Sequence, residues 1–205
     1  MFAPAGQSSQ MIIGATNETD KDIMFSANSL YKNFNLKRVY YSAYVPVSYD
    51  TRLPSINTAV PVIRENRLYQ TDWLMRFYGF KVEELLSPND PNLDIDIDPK
   101  LGWAIKNLDQ FPIDINKADL QLILRVPGIG IGSANKIVAA RKFQRLNWEH
   151  LKKIGVAISR AKFFIICSSR EFERRHLSGM QIKQYILAAS KSKFINSNTR
   201  QLQLF

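Results

Sequence analysis

Residues 122–142 read LILRVPGIGIGSANKIVAARK, and the rest of the chain is placed relative to them. A short apolar helical pattern runs into Pro127-Gly128-Ile129-Gly130. A second amphipathic pattern follows at once, with Ala134, Ile137, Val138 and Arg141 at the three- and four-residue spacing of one helical face. Pro127 ends the first helix and biases Val126 towards extended backbone. Gly128 and Gly130 permit backbone angles and a close approach that a β-carbon hinders. Ile129, apolar at the tip, is expected to plug the cleft between the two helices. The N–H groups that open the second helix have no intrahelical acceptor and point outward, where they can hold a phosphate.

This segment resembles the helix-hairpin-helix module, which in its known families grips the DNA backbone without reading bases. The competing reading is an ordinary helical hairpin whose glycines only make a tight turn. A repeat at an offset of 27 favours the module. Leu124, Gly128, Ile129, Ala134 and Ile137 correspond to Leu151, Gly155, Val156, Ala161 and Phe164. Tandem modules of this kind pair into one four-helix domain. Asn116 is expected to cap the first helix, with Asp119 favoured by the helix dipole, and Asn147 to cap its counterpart. In the second hairpin Ile154 replaces Pro127 and Ala157 replaces Gly130, so its backbone approaches a phosphate less freely. The first hairpin is therefore expected to bind through Gly128, Ile129, Gly130 and Gly132, with Ser133 and Lys136 beside them. The second is expected to bind around Gly155 through the charges of Arg160 and Lys162.

The charge distribution agrees with that division. Residues 1–114 carry 11 Lys/Arg against 14 Asp/Glu, a net of −3, whereas residues 115–205 carry 17 against 4, a net of +13. A basic half beside a mildly acidic one suggests two modules, the second with a polyanionic partner. Cys167, inside the apolar run FFIIC, is the one cysteine, which excludes an internal disulfide framework and reads as a buried thiol. MFAPAGQSSQ lacks the basic start of a signal peptide, and no apolar run reaches the ~20 residues of a membrane span. A cytoplasmic protein is expected.

Upstream, Met11 to Ala15 reads as a buried strand. Thr19 to Asp22 gives a cap for a helix running to about Asn33, and Lys37 to Val47 reads as a second strand. Strand, helix, strand is a βαβ unit, normally part of a parallel sheet covered on both faces. Such a unit alone should expose strand edges and favour self-association. In Arg64 to Phe80, RENRLYQTDWLMRFYGF, the stripe Leu68, Trp73, Leu74, Phe77 and Tyr78 reads as a core-facing helix stopped at Gly79. Leu93 to Asp98 is read as a solvated linker rather than a calcium loop, because Pro99 and Ile105 stand where that loop needs Gly and Glu. Pro99 then opens a helix over Lys100–Leu108, Arg170–His176 and Gln181–Ser190 suggest further helices, and the tail 191–205 is expected to be disordered.

The order of APAGQSSQMIIGA, KRVYYSAYVPV, RLYQTDWLMRFYGF, DPKLGWAI and LILRVPGIG resembles the C-terminal half of radical S-adenosylmethionine (radical SAM) proteins of DNA modification or repair. The resemblance implies an incomplete α/β barrel followed by an all-α tandem helix-hairpin-helix domain, α+β overall. The divisions implied are 1–63 partial barrel, 64–114 helical linker region, 115–190 tandem hairpin domain and 191–205 tail. A [4Fe–4S] cluster and S-adenosylmethionine are implied only for a full-length parent, because the three-cysteine motif is not in this sequence and the chain alone is expected not to be catalytic. The partners implied are the double-stranded DNA backbone and the remaining barrel half or a second copy. Two other functions compete. One is a protein–protein scaffold on degenerate hairpins, which the net +13 disfavours as a sole role. The other is a DNA glycosylase, which needs an aspartate beyond the hairpin where 146–150 offers Asn147, Glu149 and His150, and which in bifunctional members has a lysine where Gly132 stands.

Overall fold

Residues 4–47, 49–167 and 177–189 are described by a computed structural model, and the chain divides into two units, Met1–Pro99 and Lys100–Phe205. The expected helix over 170–176 and the tail over 191–205 lie outside the described residues. No helix among the described residues is long and apolar enough to cross a membrane.

The first unit is built on the anticipated βαβ element. Strand β1 (Ser8–Ile13) and strand β2 (Arg38–Ala43) pair in parallel, with Ser8 opposite Arg38 and Ile13 opposite Ala43. Helix α1 (Asp20–Phe34) joins them. Its start is encoded locally: Thr19 accepts from the Asp22 N–H at 3.2 Å, and the Asp22 carboxylate accepts from the Thr19 N–H at 3.0 Å. Helix α2 (Val62–Phe77) packs on β2, and a short helix α3 (Val82–Leu85) follows. Arg64 meets the buried Asp20 at 2.5 Å and donates to the Glu18 carbonyl at 2.6 Å, which ties α2 to the start of α1.

Three expectations for this unit change. No barrel closes among the described residues: the sheet holds two strands, Ile13, Val39 and Tyr41 are buried on one face, and Ser8, Gln10, Ile12, Arg38 and Tyr40 are exposed on the other. The outer edge of β2 does not stand open either. Its three successive outward N–H groups, on Val39, Tyr41 and Ala43, donate to Tyr31 Oη at 2.9 Å, Tyr69 Oη at 3.0 Å and Glu65 Oε2 at 2.7 Å. Side chains from α1 and α2 therefore satisfy the donors that a further strand would use. Finally, α2 buries Leu68, Thr71, Asp72 and Leu74, whereas Trp73 and Phe77 are 56% and 44% exposed and pack on each other at 4.4 Å. The buried face follows the helical period rather than the aromatic content.

The second unit opens with α4 (Pro99–Lys106) and a 3₁₀ turn, Leu108–Gln110. The hairpin pairs follow as α5 (Leu120–Arg125), α6 (Ile131–Ala140), α7 (Trp148–Ile154) and α8 (Ile158–Ala161). The unit is not all-α. Strand β3 (Ile113–Asp114) pairs in parallel with β4 (Ile165–Ile166). The cause lies in the second copy: α6 ends on Val138-Ala139-Ala140, and the counterparts 27 residues on are Ile165, Ile166 and Cys167. The alanines that favour helix are gone and β-branched residues take an extended pairing, so α8 stops after one turn. A helix over 179–189 buries Ile182 and Ile186, and Tyr185 stacks on Phe163 at 6.3 Å. Trp103, Phe111 and Phe164 form a chain of edge-to-face rings at 6.1 and 5.2 Å in the core of this unit.

Asn147 caps α7 as anticipated, accepting from the His150 N–H at 3.0 Å. Asn116 does not cap α5; Asp119 does, accepting from Leu122 N at 2.8 Å. Asn116 instead clasps the backbone of buried Leu146, donating to its carbonyl at 3.2 Å and accepting from its N–H at 2.8 Å. It thus staples the entry of the first copy to the entry of the second. Asn116→Ala strands these two backbone groups and is expected to cost about 2 kcal/mol of stability. Urea unfolding checks this, and a loss below about 0.5 kcal/mol would contradict the staple.

Candidate nucleic-acid interface

The first hairpin has the geometry its residues dictate. Val126 ends α5 in extended backbone (φ −71°, ψ 123°), Gly128 takes φ +88°, and Ile129 turns inward to 2% exposure. Gly130 then caps α6 at φ −88°, ψ 170°, an ordinary extended conformation. Of the two hairpin glycines, only Gly128 is demanded by its backbone angle. The first α-helical bond from the cap runs from Ala134 N to Gly130 O at 2.8 Å, so the amides of Ile131, Gly132 and Ser133 have no acceptor within the helix.

The second copy repeats this geometry. Gly155 takes φ +97°, Val156 is 6% exposed, and α6 and α8 start on Ile131 and Ile158, 27 residues apart. Leu124 and Leu151, Ala134 and Ala161, and Ile137 and Phe164 are all buried. The copies also exchange contacts. Gly128 O accepts from Ala157 N at 2.9 Å, and a β-carbon on Gly128 would stand 2.7 Å from Ala157 O and 3.2 Å from Arg160 Cβ. Ser133, the counterpart of Arg160, lies in the same relation to Gly155: its Oγ would be 3.7 Å from an added β-carbon there, and it donates to Gly155 O at 3.4 Å.

The exchange sets two of the expected residues beside the opposite hairpin. Ser133 faces the second hairpin, and the stem of Arg160 packs against the first, so Arg160 and Gly128 are neighbours and are not independent. Lys162, half-buried, closes α8 with its amine 5.0 Å from the Phe163 ring centre. Gly132 and Lys136, one turn apart on α6, are both exposed, and a β-carbon on Gly132 meets nothing within 4 Å. Gly128 and Gly130 are half-exposed and Gly155 is exposed. Arg141 is bound to the protein itself, donating to Ile115 O at 3.2 Å and Ala118 O at 2.5 Å.

One further residue at the hairpin carries no signal in the sequence. Lys100 is 8% exposed and donates from Nζ to Ile129 O at 2.6 Å, beneath the hairpin tip. Burial disfavours its charge and pushes it down to about 7. Within DPKLGWAI nothing local marks Lys100, at the start of its helix, as buried.

Cys167 is also buried and donates from Sγ to Leu146 O at 3.1 Å. Among the described residues no three His, Cys, Asp or Glu side chains converge, and with Cys167 the one cysteine of the sequence this chain does not supply the thiolates of a [4Fe–4S] cluster. Neither a curated protein nor a solved structure matches the chain. A family model described as the helix-hairpin-helix motif matches residues 109–155, spanning the first hairpin and reaching Gly155 at the second, so the chain carries that motif.

Proposed function

We propose that residues 115–190 hold duplex DNA by its phosphates, without regard to base sequence. The observation that carries this reading is the start of α6. There an N-terminus with three amides lacking intrahelical acceptors follows directly on the hairpin, with exposed Gly132 and Lys136 alongside. The net +13 of residues 115–205 supports a polyanion partner. Gly128, Ile129, Gly130, Gly132 and Lys136 form or shape the first contact, with Arg160 beside Gly128, and Gly155 and Lys162 the second, with Ser133 beside Gly155. Ile129 acts from beneath, as the plug that sets the tip.

The wider place of the chain is proposed from the order of its segments: a DNA-presenting portion of a radical SAM protein of DNA modification or repair. Cytoplasmic residence belongs to the same reading.

The test is binding to duplexes of unrelated sequence. Affinities should agree within a few-fold, because amides and lysines that meet phosphates carry no base information. The logarithm of affinity should fall against the logarithm of salt with a slope of roughly −2 to −5, the signature of a few displaced counterions. A strong preference for one sequence, or a slope near zero, would reject the proposal.

A further inference from the structure

Three consecutive carbonyls of the first hairpin are each tied to a donor. Gly128 O accepts from Ala157 N at 2.9 Å, Ile129 O from Lys100 Nζ at 2.6 Å, and Gly130 O from Ala134 N at 2.8 Å. The outer two donors are backbone groups of the hairpin helices themselves. The middle donor is a buried side chain delivered from α4. In a planar trans peptide the carbonyl of one residue and the N–H of the next point in opposite directions. Fixing Ile129 O on Lys100 therefore fixes the Gly130 N–H pointing away from Lys100. Gly130 is the residue that caps α6.

We propose that Lys100 is a positioning residue for phosphate binding, whose bond to Ile129 O aims the Gly130 amide at the DNA backbone. This rests on the phosphate-gripping role given above and deepens it. Lys100 also strengthens the donor it aims, because a hydrogen bond accepted by a carbonyl polarises its peptide and makes the N–H a better donor.

The experiment compares the full chain with Lys100→Met, Lys100→Gln and Lys136→Ala. Three readouts are taken: anisotropy on a random duplex, thermal melting, and the Gly130 amide resonance of the free ¹⁵N-labelled protein. Lys100→Met keeps the length of the stem and removes its donor. It should weaken duplex binding roughly tenfold, as for loss of one well-aimed bond to a charged group. Its melting temperature should equal or exceed that of the parent, and the Gly130 resonance should move. Lys100→Gln, neutral but still a donor, should fall between the two. A folded Lys100→Met that binds within about twofold of the parent, on the scale of a hydrogen bond to a charged group, overturns the proposal. Should Lys100→Met fail to fold, Lys100→Gln decides: weaker binding at an unchanged melting temperature supports the proposal, and unchanged binding with an unmoved Gly130 resonance overturns it. If Lys136→Ala weakens binding while Lys100→Met does not, the phosphate reading stands and the role of Lys100 falls. If the parent chain does not bind duplex, both fall.

Discussion

Gly128→Ala should cost the second unit about 3 kcal/mol of stability, the largest effect expected of any single change at the hairpins. Two costs add. A left-handed backbone at φ +88° is unfavourable for alanine by about 1–2 kcal/mol. The new β-carbon would also stand 2.7 Å from Ala157 O, so the hairpins must separate and the Ala157 N to Gly128 O bond is lost, at about 1 kcal/mol or more. Gly155→Ala supplies the internal comparison. It shares the left-handed angle, at φ +97°, but its β-carbon would meet only Ser133 Oγ at 3.7 Å, an ordinary contact. Thermal melting of the two variants separates backbone strain from the contact between copies. Equal losses would mean that the hairpin-to-hairpin contact contributes nothing.

Gly130→Ala should have the opposite profile, with stability nearly kept and affinity lost. At φ −88° its backbone suits alanine, and exchanging a glycine cap for alanine costs under about 1 kcal/mol. If the first amides of α6 hold a phosphate as proposed, a β-carbon at the cap would crowd its approach, and duplex affinity should fall roughly tenfold. Melting and anisotropy on the same preparation check both halves. Gly132→Ala is a companion at the same helix end: its β-carbon meets open space in the protein, so the fold should not register it. Unlike Gly128, neither variant carries the penalty of a left-handed backbone.

The parts of the fold that were legible in the sequence are those whose cause is local. Thr19 and Asp22 announce the start of α1 because a capping box is closed by residues three apart. The offset of 27 was readable because each matched pair answers one physical need: a left-handed angle at Gly128 and Gly155, a plug at Ile129 and Val156, a close helix approach at Ala134 and Ala161. What stayed hidden depends on partners distant in sequence. Lys100 is tied to a carbonyl 29 residues away, and Asn116 clasps a backbone 30 residues away; neither has a neighbour that announces it. Asparagine before an apolar run is a cap signal, which Asn116 satisfies, but Asp119, nearer the run, takes that place. The two-residue strands β3 and β4 are too short to show alternation, and Trp73 and Phe77 looked like core by type while the period of α2 turned them outward.

Whether the start of α6 holds a phosphate is read from the affinity of Gly130→Ala for random duplex across a salt series, set beside that of the parent chain. The variant should be folded, melt within a few degrees of the parent and bind roughly tenfold more weakly at moderate salt. Its salt slope should stay close to the parent's, because an amide releases no counterion while Lys136 and Arg160 remain. A folded Gly130→Ala that binds as tightly as the parent would mean that no phosphate sits there, leaving the hairpin as a turn and nothing more.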